Sequence, residues 1–201
     1  MPDCIGILNS GSSSIKYSIF VMEGDELRSS IKGQIEGLFT SPNFGANDES
    51  GRIVEERSWD SGTTLDHREA TEFLLGFLRD KLGAMRLTGI KHRVVHGGLK
   101  YTGPVLLNSD VIDDLEELIP LLPLQQPYNV QPIRLRLERR PGLPQVACFD
   151  TQFHATHCST KRERAPGRRT RRYYGRLSDC CLSCRPTRDG SPARRCMWME
   201  A

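Results

Sequence analysis

The chain has 201 residues, of which 37% are hydrophobic, 26% charged and 7% aromatic. That is enough apolar material for one packed domain and excludes a chain disordered throughout. The net charge of +3 hides a division: twelve of the 28 basic residues but four of the 25 acidic ones lie in residues 158–201, making that segment +8 and leaving −5 for residues 1–157.

In chain order, residues 4–8 and 15–21 are short apolar runs flanking Asn9-Ser10-Gly11-Ser12-Ser13-Ser14, a strand–turn–strand signal. Residues 27–37 and 52–59 alternate as two further strands. Between them residues 40–51, rich in Ser, Pro, Asn and Gly, read as a loop. The clearest helix is 66–82: Ala70, Phe73, Leu74, Phe77, Leu78 and Leu82 share one face, Asp66 with Glu69 forms a capping-box pattern, and Gly83 suits the stop. Residues 90–95 form a strand ending at Gly97-Gly98. Helices follow at 109–119 and 129–140, and residues 145–149 form a last buried strand running into Asp150. Strands interleaved with helices predict an α/β domain. From residue 158 onward neither period is sustained, and five of the seven cysteines lie there. A basic tail without a packed core is expected.

No apolar run reaches the about 18 residues of a transmembrane helix. Residues 1–10 lack the basic stretch and apolar core of a secretory signal, so the expected compartment is cytoplasmic, with no membrane partner.

Three segments can carry chemistry. In the loop from Asn9 to Lys16, small residues leave backbone N–H groups free to surround an anion, the serine hydroxyls can donate hydrogen bonds, and Lys16 adds positive charge. The spacing is not that of a Walker A loop, and a plain hairpin turn has the same composition. In His92-Arg93-Val94-Val95-His96-Gly97-Gly98, an arginine near a strand end, beside glycines that admit a ligand to the backbone, could hold a carboxylate bidentately. The alternative is a strand with ordinary polar contacts. Its two histidines stand about 13 Å apart on a strand, too far to share a small ion. In Cys148-Phe149-Asp150-Thr151-Gln152-Phe153-His154, a carboxylate lies just past a buried strand, where open α/β sheets place ligand chemistry; it could equally cap the next segment.

Together, N-S-G-S-S-S-I-K, H-R-V-V-H-G-G, P-L-Q-Q-P at 123–127 and F-D-T-Q-F-H at 149–154 resemble the acetate kinase family, in its order and spacing, over roughly residues 3–156. The resemblance implies a ribonuclease H-like α/β fold (actin/hexokinase/Hsp70 superfamily), here an incomplete amino-terminal domain over 1–156 with a tail over 157–201. It also implies transfer of the ATP γ-phosphoryl group to acetate, giving acetyl phosphate and ADP. By motif, Asn9 would help place Mg2+, and Lys16 and Ser12 would contact ATP phosphate. Arg93 would bind the acetate carboxylate or the phosphoryl group, Val95 and Leu124 would line a methyl pocket, and Asp150 would be the active-site acid. Acetate is already ionised at neutral pH, so Asp150 is expected to orient water or acetate rather than remove a proton. Family members are dimers.

Two departures matter. Gln125 stands where the family has histidine, which keeps a hydrogen-bond donor but loses a charge, and Tyr128 replaces a frequent histidine. Beyond Thr156 the pattern stops, and Arg171-Arg172-Tyr173-Tyr174-Gly175-Arg176 echoes a later family motif weakly and without its histidine. The swing to Arg, Cys, Pro and Ser is what out-of-frame translation of a GC-rich gene produces, so the expectation is a truncated chain with negligible activity alone. The competing readings are a nucleic-acid-binding protein using the arginine tail, a zinc site at Cys180-Cys181-x-x-Cys184, and a propionate or butyrate kinase fragment, since one methylene discriminates weakly.

Overall fold

The computed structural model describes residues 1–83 and 85–151. The tail and the Gln152–Phe153–His154 end of the third motif lie outside the described residues, as do the arginine, cysteine and Arg171–Arg176 features read in the tail. Among the described residues eight strands form one sheet: β1 (Asp3–Ser10), β2 (Ser14–Glu23), β3 (Glu26–Glu36), β4 (Asn43–Asp48), β5 (Ile53–Ser58), β6 (Arg86–Val94), β7 (Val105–Leu106) and β8 (Gln145–Phe149). Their order is β5-β4-β3-β2-β1-β6-β8-β7. Strands β1 to β5 form an antiparallel meander, while β1, β6 and β8 run parallel. The helices are α1 (His67–Leu82), α2 (Ser109–Glu117) and α3 (Gln126–Arg139).

Helix α1 starts as the capping box predicts. The Asp66 carboxylate accepts from the Glu69 N–H at 2.7 Å, and the Glu69 carboxylate accepts from the Asp66 N–H at 2.9 Å. Its apolar stripe packs Ala70, Leu74 and Phe77 onto Tyr17, Ile19, Ile35 and Phe44. A second cluster joins Val94, Ala147 and Phe149 to Ile112 and Leu115 of α2 and Val130 and Ile133 of α3. Paired residues of a ladder share a face. Leu8 lies opposite both Tyr17 and His92, so both clusters occupy one face of the sheet, and the three described helices pack there.

The structure corrects three boundaries. Residues 43–48, read as loop, are strand β4. Phe44 and Ala46 are buried there, and the pairing of Phe44 with Ile35 overrides the turn-rich composition. Helix α2 stops at Glu117, and a 3-10 turn over Ile119–Leu121 follows. Helix α3 begins at Gln126 rather than 129, with Pro127 in its first turn, where a missing N–H costs nothing. Strand β7 was not anticipated; two residues carry too little pattern to read.

Two glycines are sites of close approach. A Cβ on Gly33 would lie 2.6 Å from the Tyr17 hydroxyl and 2.2 Å from the Gly45 carbonyl oxygen. A Cβ on Gly97 would lie 2.8 Å from the Phe149 ring. Gly97, expected to admit a ligand, is thus required by packing.

Candidate active site

Asn9 lies opposite Lys16 of β2, one pair before the ladder ends at Ser10 and Ile15, so the two side chains stand on one face, with the Gly11–Ser12–Ser13 turn beyond them. Because Leu8 is level with His92, Asn9 and Arg93, one residue further on each, are neighbours on the face away from the helices. Arg93 is in turn level with Cys148 of β8, two residues before Asp150. Three strands therefore deliver Asn9, Arg93 and Asp150 to one place at their carboxyl ends, the usual location of ligand chemistry in such sheets.

The contacts are specific. Arg93 Nε donates to both Asp150 oxygens, at 2.8 and 3.1 Å, and Arg93 Nη2 donates to Asp150 Oδ2 at 2.6 Å. Arg93 Nη1 reaches Asn9 Oδ1 at 3.4 Å. Asp150 therefore spends its carboxylate on a bidentate arginine. Arg93 keeps 36% of its side chain exposed, and its Nη1 makes only the long contact to Asn9. Lys16 and Ser12 are exposed at the hairpin, Val95 is half-buried just past β6, and Leu124 is 77% exposed in the turn before α3.

Two residues that the sequence did not single out hold this frame. Asn129 of α3 is buried; its Oδ1 accepts from the Val95 N–H at 2.9 Å and its Nδ2 donates to the Ser10 carbonyl at 2.5 Å, tying the ends of β1 and β6 together. A buried asparagine inside a helix, where its propensity is poor, was the available signal. His67, at the start of α1, lies 2.6 Å by Nε2 from the Gly11 carbonyl and stacks on Tyr128 at 4.3 Å. Burial holds its pKa below the usual imidazole value, although the Gly11 contact pulls the other way.

The two motif histidines play separate structural parts. His92 is fully buried on the helix side, with Nε2 2.8 Å from Gln145 Oε1, and burial lowers its pKa to about 4. His96 Nδ1 accepts from the Gly98 N–H at 2.7 Å. Gln125 is exposed at the entry to α3, and Gln126 Nε2 donates to the His96 and Leu115 carbonyls. Among the described residues no group of three or more His, Cys, Asp and Glu side chains could hold a metal ion, and no helix is long and apolar enough to cross a membrane.

A mixed sheet with the described helices on one face and an Asn–Arg–Asp cluster at its strand ends defines an α/β domain with polar side chains where such sheets place ligand chemistry. The sequence profile of the acetokinase family matches residues 4–168, running past residue 156, where the short motifs stop. The acetate kinase of Nitrobacter hamburgensis is 42% identical over 156 residues, 77% of this chain and 38% of that protein. That of Rhizobium meliloti is 40% identical over 159 residues, 77% of this chain and 39% of that protein. Among solved structures, Porphyromonas gingivalis acetate kinase superposes with a TM-score of 0.64 at 32% identity, covering 75% of this chain and 38% of that one. A Francisella tularensis propionate kinase gives 0.63 at 30% identity, covering 77% and 38%. The chain belongs to the acetokinase family, and spans about two-fifths of the length of the curated relatives it matches.

Proposed function

We propose that this chain carries the amino-terminal part of an acetate kinase site, one that transfers the ATP γ-phosphoryl group to acetate. The observation that carries the reading is the meeting of Asn9, Arg93 and Asp150 at three strand ends, with Lys16 alongside. Phosphoryl transfer requires positioning and neutralisation of charge more than covalent participation. Arg93 is the group that receives the acetate carboxylate or the transferring phosphoryl oxygens; Asp150 fixes its orientation through the bidentate pair. Lys16 and the Ser12 turn receive the nucleotide's phosphate oxygens, and Val95 with Leu124 offers apolar surface to the acetate methyl.

Both Asp150 oxygens are taken by Arg93, whereas Asn9 Oδ1 has only the long 3.4 Å contact, so Asn9 is the residue that would help place Mg2+, an ion that keeps most of its positions for water and phosphate. When bound, Mg2+ would supply positive charge to the phosphate oxygens. Asp150 has no proton to take from ionised acetate, so its work is to orient.

The test compares two proteins. The 201-residue chain, holding part of a site, is expected to release no acetate-dependent ADP. Residues 1–151 joined to the remainder of the Nitrobacter hamburgensis enzyme should do so, and Arg93→Ala in that chimera should lower kcat/KM at least about 100-fold. A folded but inactive chimera, or an Arg93→Ala chimera as active as its parent, would overturn the reading. Propionate run in parallel decides the acceptor.

A further inference from the structure

On the opposite face from Arg93, a cavity of about 400 Å³ opens between the sheet, α1 and α3. That volume falls within the about 300–1,000 Å³ range of small-molecule sites. Leu8, Ile19, Leu78, Leu82 and Leu87 make its apolar floor. Its rim is cationic: among the described residues Arg79, Arg136, Arg139 and Arg140 stand there against one carboxylate, Glu72. Glu72 already pairs with Arg139 at 2.5 Å and Arg68 at 3.4 Å. Arg136 is the informative residue. It is half-buried, its Nε is buried with no hydrogen-bond partner, and burial together with the Arg140 charge disfavours its charged form. An arginine stays protonated, and a desolvated cation beside other cations is costly unless an anion meets it.

We propose that this cavity binds an anionic amphiphile, with an aliphatic chain on the leucine floor and a carboxylate or phosphate monoester head on Arg136 and Arg140. The occupant follows from complementarity: apolar walls select the chain, and an excess of guanidinium groups at the mouth selects the head. Helix α3 links this cavity to the strand ends, because it carries Arg136 at one end and Asn129 near the other, so occupancy bears on the frame that holds Val95 and Ser10.

Calorimetric titration of the full chain tests this with octanoate, octyl phosphate, octylamine and octanol. Octanoate and octyl phosphate are expected to bind one per chain, and octylamine and octanol at least about tenfold more weakly, the worth of one charge-assisted hydrogen bond. The tighter of the two anions identifies the head group. Arg136→Leu should weaken both anions at least about tenfold and leave octanol unchanged. Gly6→Leu should abolish binding of all four, because a Cβ there meets Ile19, Leu87 and Ile90 at 3.7 Å, inside the cavity. Far-UV circular dichroism checks that each variant folds. If Arg136→Leu does not, salt decides: added NaCl should weaken octanoate and not octanol. Absence of saturable binding, equal affinity for octylamine and octanoate, or salt-independent octanoate binding would overturn the proposal.

Discussion

Replacing Asn129 with alanine should separate the two strand ends that the candidate site needs. The amide of Asn129 satisfies the Val95 N–H and the Ser10 carbonyl, and it is 5% exposed. Alanine leaves both backbone groups unpaired in a buried place, at about 1–3 kcal/mol each. The expected loss is about 2–6 kcal/mol, a large part of the about 5–15 kcal/mol that holds a domain together. Asn129→Asp should be no better: one oxygen can still accept from Val95, but the other faces the Ser10 carbonyl with no proton to offer. Urea unfolding of the full chain, followed by far-UV circular dichroism, measures the change. A midpoint shift worth less than about 0.5 kcal/mol, the range of an ordinary surface substitution, would refute the claim that α3 ties β1 to β6 through this side chain.

His92 titrates near 4 when folded and near 6.5 when unfolded. The unfolded chain therefore binds more protons between those values, and stability should fall as pH drops from about 6.5 to 4. The loss is about 3 kcal/mol at most, with buried His67 acting in the same direction. Denaturation midpoints across that window should flatten in His92→Gln. Gly97→Ala forces a methyl to within 2.8 Å of the Phe149 ring and should cost about 1–3 kcal/mol, read by thermal unfolding. Asp66→Ala removes the α1 cap and should cost about 0.5–2 kcal/mol in the same assay. Sequencing the gene across codons 150–165 should reveal an open frame in another phase that encodes the rest of a kinase; if there is none, the frame-shift reading of the tail fails.

The features legible in the sequence were those whose causes lie within one turn or one strand. Asp66 and Glu69 are three residues apart and cap α1 by themselves, and the Ala70–Leu82 stripe needs no partner to be recognised. The residues that set the motifs were also readable, and their meeting was expected only through the family resemblance: Asn9 and Arg93 are neighbours through a parallel pairing that no local pattern announces. Strand β4 was missed because its composition favours a turn, and its stability comes from Phe44 packing on Tyr17, Phe73 and Phe77. Gly97 misled for the same reason, since the ring it accommodates arrives from residue 149. Arg136 reads as one more charged position on a helix; that it faces a cavity depends on where α1 and the sheet stand.

The charge of the cluster argues for a site completed from elsewhere. Arg93 and Asp150 neutralise each other in a bidentate pair, so among the described residues of the cluster the surplus is the positive charge of exposed Lys16. Under the proposed function, an acetate anion and a triphosphate would bring several negative charges to the same place. One lysine in partial contact with water cannot hold that charge, because screening weakens an exposed pair to about 1 kcal/mol or less. Further cations, from metal or protein, must therefore enter before phosphoryl transfer can proceed. On the proposed reading, the three-fifths of the relatives' length that this chain does not span is where protein cations would come from. The anion must also compete with Asp150 for Arg93, and that competition is won only once the added charge makes the guanidinium's second partner the stronger one.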